Sequence, residues 1–341
     1  PGHVHLQEFG KVVKEAVREA GGIPFIMDSP GAGISYSQGG MKRVYRETGL
    51  LELSERTNIE LNWDFSTTEV SFGEGELMKR FEVTKPVIDA DVIIAMPKLK
   101  THTFTRFTGA TKILFGVIPG LVKVSYHHKL PEAERFSDML LDVISYIKPT
   151  LFIMDGILGL EGLGPAFHGK PREIGILLSS VNPVALDVAA CQVVRIDPLE
   201  VPPLRMAKKR EWWDGRLESV EIVGCSIDDI AIADYDVPDI RSGTLDQRNM
   251  SFVERTLLPI VQNAVTPDPI PNKNLCTGCG TCVRSCPEQT ITLEKGLAIV
   301  DHSKCIRCYC CHELCPEAAV DLRLSWTGRF LRRTGMVGRK S

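Results

Sequence analysis

The sequence is short of the features that mark several broad functional classes. It has no run of about 18 apolar residues and no charged-then-apolar amino-terminal segment. A spanning helix and a secretory signal are therefore unsupported, and a cytoplasmic location is expected. It has no large charge of either sign: 40 Lys and Arg against 43 Asp and Glu leave a formal charge of −3, which offers a nucleic acid no polycationic surface. It has neither a Walker phosphate loop nor a G-x-G-x-x-G turn, so no nucleotide, flavin or nicotinamide fingerprint is present. Outside one stretch, cysteine is almost missing too. Of 11 cysteines only Cys191 and Cys225 lie outside residues 276–315, which suits metal ligation in a reducing compartment better than a disulfide framework.

That stretch carries one spacing twice. Cys276, Cys279, Cys282 and Cys286 precede Pro287, and Cys305, Cys308, Cys311 and Cys315 precede Pro316. Both read C-x2-C-x2-C-x3-C-P, the run of two-cluster bacterial ferredoxins. Two intervening residues let successive thiolates close on one compact cube, while the x3 step and proline lead the backbone away toward a neighbouring cube. Structural zinc favours pairs of C-x2-C over two triplets with a trailing Cys-Pro. Cys310 falls inside the second run but off its pattern and is expected not to ligate. Two 4Fe-4S clusters held by eight thiolates bring the formal charge to about −7. The segment resembles a bacterial ferredoxin, and the resemblance implies crossed ligation, in which the fourth thiolate of each run serves the other cluster. Cys276, Cys279, Cys282 and Cys315 would then hold one centre, and Cys305, Cys308, Cys311 and Cys286 the other.

A chain of 341 residues is too long for a ferredoxin alone. Residues 1–235 are expected to form an α/β domain, 236–271 a polar, proline-dotted linker, 272–322 the iron–sulfur domain, and 323–341 a basic tail with Trp326, Phe330 and Leu331 as apolar anchors. The expected fold class is α/β, a mostly parallel sheet followed by a small α+β ferredoxin-like domain. Apolar periodicity predicts helices over 6–20, 41–53, 136–147 and 184–194. It predicts buried strands over 23–27, 92–95, 151–154 and 174–178, and a return to strand over 217–232. Open α/β sheets place ligands at the carboxyl ends of their strands, so the segments that follow these strands are the candidate sites.

The segment after 92–95 is the richest in chemistry. Lys98, Lys100, His102, Arg106 and Lys112, five threonines and Gly109 follow one another, and Tyr126-His127-His128 comes next. Such a loop is equipped to bind anions, shuttle protons or ligate metal. His102, Lys112 and His128 are the candidate catalytic residues: His102 for proton transfer, Lys112 to anchor a ligand by charge or covalently, and His128 as second base or metal ligand. Lys98, Lys100, Gly109, Asp155 and Glu161 are the candidate binding residues. The last two come from a glycine-rich segment, 155–165, expected to be a loop beside the first. Asp187 is open between lining the site and fixing a helix.

Asp28-Ser29-Pro30-Gly31, Lys98 through Gly120, Asp155-Gly156 through Gly164-Pro165, and Asn182 through Asp187 together resemble a family known only as domain of unknown function 362, often fused to a ferredoxin module. A more distant resemblance is to the nickel-pincer lactate racemases, on His102, Gly109, Lys112, Pro119-Gly120 and His128, with Ala110-Thr111 where that family has Gly-Arg. That resemblance implies a pyridinium nucleotide cofactor tethered by the lysine, one histidine in proton transfer and another on nickel.

The favoured function is a redox protein whose clusters pass electrons to a small-molecule substrate or an additional cofactor held by the α/β domain. It would receive those electrons from a redox partner protein. Two alternatives stand beside it: an electron-transfer subunit whose α/β domain docks a partner enzyme, and a racemase-like or group-transfer enzyme with structural clusters. The basic tail could touch a membrane surface or an acidic partner.

Overall fold

The computed structural model describes residues 2–31, 34–120, 122–165, 169–238 and 266–324, with 326 and 329; the side chains of residues 2–7, 124 and 128 are not described. Most of the linker expected over 236–271 and most of the basic tail lie outside these residues.

Helix Gly2–Glu19 leads into strand β1 (Phe25–Ile26), which pairs in parallel with β2 (Glu60–Leu61). The helix expected over 41–53 is two helices, Gln38–Glu47 and Leu50–Thr57. They break at Gly49, whose φ of 77° is a conformation that side-chain-bearing residues rarely adopt. Strands β3 (Thr67–Ser71) and β4 (Arg80–Thr84) form an antiparallel hairpin.

The central sheet has five strands: β5 (Ile94–Ala95), β6 (Lys98–His102), β7 (Arg106–Thr108), β8 (Leu151–Gly162) and β9 (Gly169–Ser180). β5 and β6 follow one another along one edge of β8, both parallel to it, and β9 runs antiparallel along the other edge. Pro97, which has no N–H to give a ladder, separates β5 from β6, while its carbonyl still accepts from Asp155 N at 2.9 Å. The expectation of a mostly parallel sheet is therefore corrected to a mixed one. Two of its pairings are parallel, and two (β6 with β7, β8 with β9) are antiparallel.

Two expected loops are strands. The basic segment from Lys98 is β6 turning into β7, and 155–162 is the second half of β8. Strand was expected over 217–232, but the segment holds only a short 3-10 turn, Leu217–Ser219, and a helical turn, Ile227–Ile230. Helix Ala133–Ile147 packs Phe136, Met139, Leu140 and Val143 into the core at helical spacing and ends at left-handed Lys148 ahead of Pro149. Helix Pro183–Val193 starts as its sequence dictates, with Pro183 at its first position and the Asn182 side chain accepting from Val184 N and Ala185 N.

The carboxyl-terminal domain is a small ferredoxin-type unit. β10 (Asp268–Pro271) pairs antiparallel with β13 (Val320–Arg323), and β11 (Ile291–Glu294) with β12 (Leu297–Val300). β10 begins inside the span assigned to the linker. Between the strands lie two short helices, Thr281–Arg284 and Cys310–Glu313, one in each cysteine run.

Candidate functional site

The first cysteine run folds so that its thiols face a cavity. Cys276, Cys279 and Cys282 line a solvent-open cavity of about 350 Å3 together with Cys315, the last cysteine of the other run. Among the described residues no three His, Cys, Asp or Glu side chains close on a single-ion site. Cys286 in turn neighbours Cys305 and Cys311 closely enough to perturb both thiols. Backbone amides already point at the two crossing thiols, Thr290 N to Cys286 Sγ at 3.4 Å and Ala319 N to Cys315 Sγ at 3.1 Å. Such N–H···S bonds stabilise thiolates that ligate iron. The donor set, its soft chemistry and the cavity thus fit iron–sulfur clusters. Cys310 is buried and hydrogen-bonds to Cys308, which raises its own thiol and lowers that of Cys308.

The α/β side of the site follows from strand alternation. Because side chains of a strand alternate between faces, β6 presents Lys98, Lys100 and His102 together and buries Leu99 and Thr101 on the other side. Lys98 donates to Asp155 Oδ2 at 2.7 Å, and that carboxylate is only 3% exposed. Lys100 is pushed down by burial against the pull of Glu313 and Asp28, and its side chain closes no hydrogen bond or ion pair among the described residues. Lys112 comes from the short helix Ala110–Ile113, whose first amides are fixed by buried Asp187. Ala110 N donates to it at 2.6 Å, Thr111 N at 2.8 Å and the Thr111 hydroxyl at 2.6 Å. Burial raises Asp187 to about 6 against those bonds, so it fixes a helix and does not line the site. Gly109 is required by the same contact: a Cβ there would stand 2.1 Å from Asp187 Oδ1 and 2.7 Å from Met154 Cε.

His102 and Lys112 meet. Lys112 Nζ is hydrogen-bonded to His102 Nε2, and His102 is 2% exposed. Burial, aided by Lys100, pushes His102 far below its ordinary range, so the ring is neutral. Phe104 N donates to its Nδ1 at 3.0 Å. A neutral imidazole carries one proton, so that proton sits on Nε2, and the Lys112 nitrogen bonded there accepts it as a free amine. The independent tendency of Lys112 agrees: burial drives it down to about 7, with Glu313 pulling the other way.

Glu313 is the residue that sequence reasoning missed. It ends the helix Cys310–Glu313 of the iron–sulfur domain, yet its Oε1 lies 3.5 Å from His102 Nε2 and closes no hydrogen bond. Burial raises its carboxyl to about 7 against the pull of Lys112 and Lys100. Beside it the buried Thr103 hydroxyl also lacks a full hydrogen bond. His312, its neighbour in the helix, sets its ring between Val320 O and Leu163 O of the α/β domain, at 2.6 and 3.3 Å.

Three further residues complete the surroundings. Asp28 stays accessible to solvent while the surrounding protein desolvates its carboxyl and raises it, against Lys123. Lys123 is buried and fully used, donating to Ser29 O, Ser29 Oγ and Pro30 O at 2.6 to 2.9 Å. His127 stacks on Phe136 at 4.7 Å, and burial drives it down to about 3.

The structure therefore brings together His102, Lys112, Lys100 and the Lys98–Asp155 pair. It does not bring Glu161, whose carboxylate is taken by Asp236 N at 3.2 Å and lies 3.9 Å from Arg172. The expectation that Glu161 lies beside the basic residues is corrected: its carboxylate is engaged by Asp236 and Arg172 near the turn of the β8–β9 hairpin. His128 lies on helix Val122–Lys129, and its side chain is outside the described residues.

Residues 3–192 match the family described as Domain of unknown function (DUF362), and residues 268–316 match the 4Fe-4S dicluster domain. The chain belongs to the DUF362 family. Its carboxyl-terminal domain is an iron–sulfur domain of a kind that suggests electron transfer. The DUF362 chain is also 36% identical over 197 residues to thylakoid-associated protein sll1697 of Synechocystis sp.. The match covers 56% of this chain and 57% of the relative, so just over half of each is compared. No solved structure matches. Neither family match is to the lactate racemases, so that likeness rests on the residues alone. No helix among the described residues is long and apolar enough to cross a membrane.

Proposed function

We propose that this DUF362 protein is an iron–sulfur-dependent reductase whose substrate sits at the junction of its two domains. The observation that carries the reading is Glu313: the helix holding Cys310 and Cys311 supplies a wall of the same site that holds His102 and Lys112. A docking surface needs no free amine, neutral imidazole and carboxyl buried together, because burying such groups costs free energy that only a specific use repays. Two 4Fe-4S clusters, on Cys276, Cys279, Cys282 and Cys315 and on Cys305, Cys308, Cys311 and Cys286, would supply low-potential one-electron transfer when bound. The chain's own residues bind and move protons. His102 holds a transferable proton at Nε2, and Lys112 offers a nitrogen that accepts one or holds the substrate. The buried walls keep water from competing. A redox partner protein would reach the first cysteine run from solvent.

The test is anaerobic re-oxidation of dithionite-reduced, desalted protein by a panel of small acceptors, followed by visible absorption. The wild type should re-oxidise fastest with one class of acceptor. Lys112→Ala should lose that acceleration while iron content and paramagnetic signals stay unchanged. If His102→Ala and Lys112→Ala both re-oxidise as the wild type does, the α/β domain is a docking surface and the electron-transfer subunit reading replaces this one.

A further inference from the structure

We propose that Lys112 condenses with a carbonyl group, and that the compound it takes is a small oxo acid whose carboxylate is held by Lys100. The inference rests on the junction being a substrate site and names the chemical class that fits it.

The first ground is the state of the nitrogen. Phe104 N occupies His102 Nδ1 at 3.0 Å, which places the ring proton on Nε2 and leaves the Lys112 Nζ lone pair as its acceptor. An ammonium has no lone pair and could not take that bond. A lysine held as an amine in a desolvated site is the form that attacks carbonyl carbon. The depression of Lys112 to about 7 supports the same state.

The second ground is charge. Of the four lysines around the site, Lys98 is paired with Asp155 and Lys123 is bonded to three oxygens. Lys100 is left half-buried, its side chain without a hydrogen bond or ion pair among the described residues, the Glu313 and Asp28 carboxylates acting on it only at longer range. A buried cation without a partner is costly, and an anion that supplies one is bound strongly. The amides that a phosphate would use at the start of helix Ala110–Ile113 are already taken by Asp187, so a carboxylate suits the site better. The third ground is the pair Thr103 Oγ1 and Glu313 Oε1, which interact with each other without closing a full hydrogen bond, so that the polar groups of a ligand can complete both.

The step balances without any oxidant. Nζ adds to the carbonyl carbon, and the carbonyl oxygen takes the proton from His102 Nε2. The ring is restored by a proton from the new ammonium nitrogen. The carbon–oxygen bond then breaks, the oxygen leaves as water with a second proton from the nitrogen, and a carbon–nitrogen double bond remains. Two hydrogens of the amine and the oxygen of the carbonyl become one water.

The experiment uses full-length, cluster-loaded protein held anaerobically with pyruvate and sodium cyanoborohydride, followed by peptide mass mapping. The expected result is an N-carboxyethyl group concentrated on Lys112 and absent from Lys112→Arg of unchanged iron content. Lys100→Gln should slow the pyruvate adduct by at least about tenfold, the loss expected when one member of a buried charge pair is removed. It should slow the adduct with propanal, which has no carboxylate, clearly less than the adduct with pyruvate. Adducts spread over exposed lysines without preference for Lys112, or none on Lys112, overturn the proposal. So does equal slowing of pyruvate and propanal by Lys100→Gln, or protection by inorganic phosphate as strong as by acetate. The hydride comes from the reagent, so an adduct on Lys112 in a protein that fails the re-oxidation test removes the reductase reading alone. Substrate reduction without an adduct removes this inference alone.

Discussion

The two cysteine runs have the same backbone and opposite surroundings. Gly278 and Gly280 in the first have φ of 67° and 73°, and Arg307 and Tyr309, at the same places in the second, have 54° and 61°. Each run then makes a four-residue helix, and beyond its fourth cysteine each has another left-handed residue, Gln289 or Ala318. The difference is in side chains. Two residues past the third cysteine the first run has Arg284, exposed and folded back on Cys279 O at 3.1 Å. The second has Glu313, sent into the α/β domain. Cys279 is exposed and Cys308 buried. A repeated scaffold fixes where iron can sit, and one residue in each copy decides what lies beside it.

The comparison breaks most visibly if ligation is not crossed. Cys286→Ser should remove about four of about eight irons from the site of the second run and spare that of the first, although Cys286 belongs to the first in sequence. Iron analysis with paramagnetic resonance decides this; a change confined to the first cluster's signal makes ligation local.

Exchanging the two distinguishing charges gives the next largest effect. Glu313→Arg sets a buried cation beside Lys100 with no carboxylate to oppose either and should lower stability by about 3–5 kcal/mol, as expected for an uncompensated buried charge. Arg284→Glu, on an exposed side chain, should stay within about 0.5 kcal/mol. Anaerobic denaturant unfolding reads both, and equal losses would mean that the two ends of the domain are not different environments. The smallest effect tests the shared backbone. Gly280→Ala should cost about 1 kcal/mol, the price of a Cβ at left-handed φ, because its nearest obstacle is the movable tip of Arg284 at 3.0 Å. A loss of several kcal/mol there would show that the first run lacks the tolerance by which the second accepts Tyr309.

The iron–sulfur domain was legible in the sequence because the cysteine spacing is local geometry, and so was the proximity of His102 and Lys112, which do meet. The glycine-rich half of β8 was not legible. Gly156 and Gly159 look like loop residues, but a Cβ on either would stand 2.8 and 2.5 Å from Ile176 and Ile174 across the hairpin. Close strand packing demanded glycine there, and propensity records only the composition. In the strand that replaces the loop, an irregularity between Gly156 and Leu158 shifts the register ahead of Glu161, whose carboxylate goes to Asp236 N. Glu313 was hidden for another reason: its partners, Lys112 and His102, are about two hundred residues earlier in the chain, and between two cysteines a glutamate looks like filler.

Glu313 also bears on interchangeability. Many two-cluster modules share the cysteine spacing, yet a foreign one grafted onto this α/β domain would bring its own residue two places past the third cysteine of the second run. With an alanine there, the graft would carry iron and still leave Lys100 and Lys112 facing an unfinished wall. With a lysine, the two parts would repel. Compatibility between donor and acceptor is thus written in a single carboxylate rather than in the metal-binding pattern that makes such modules look alike.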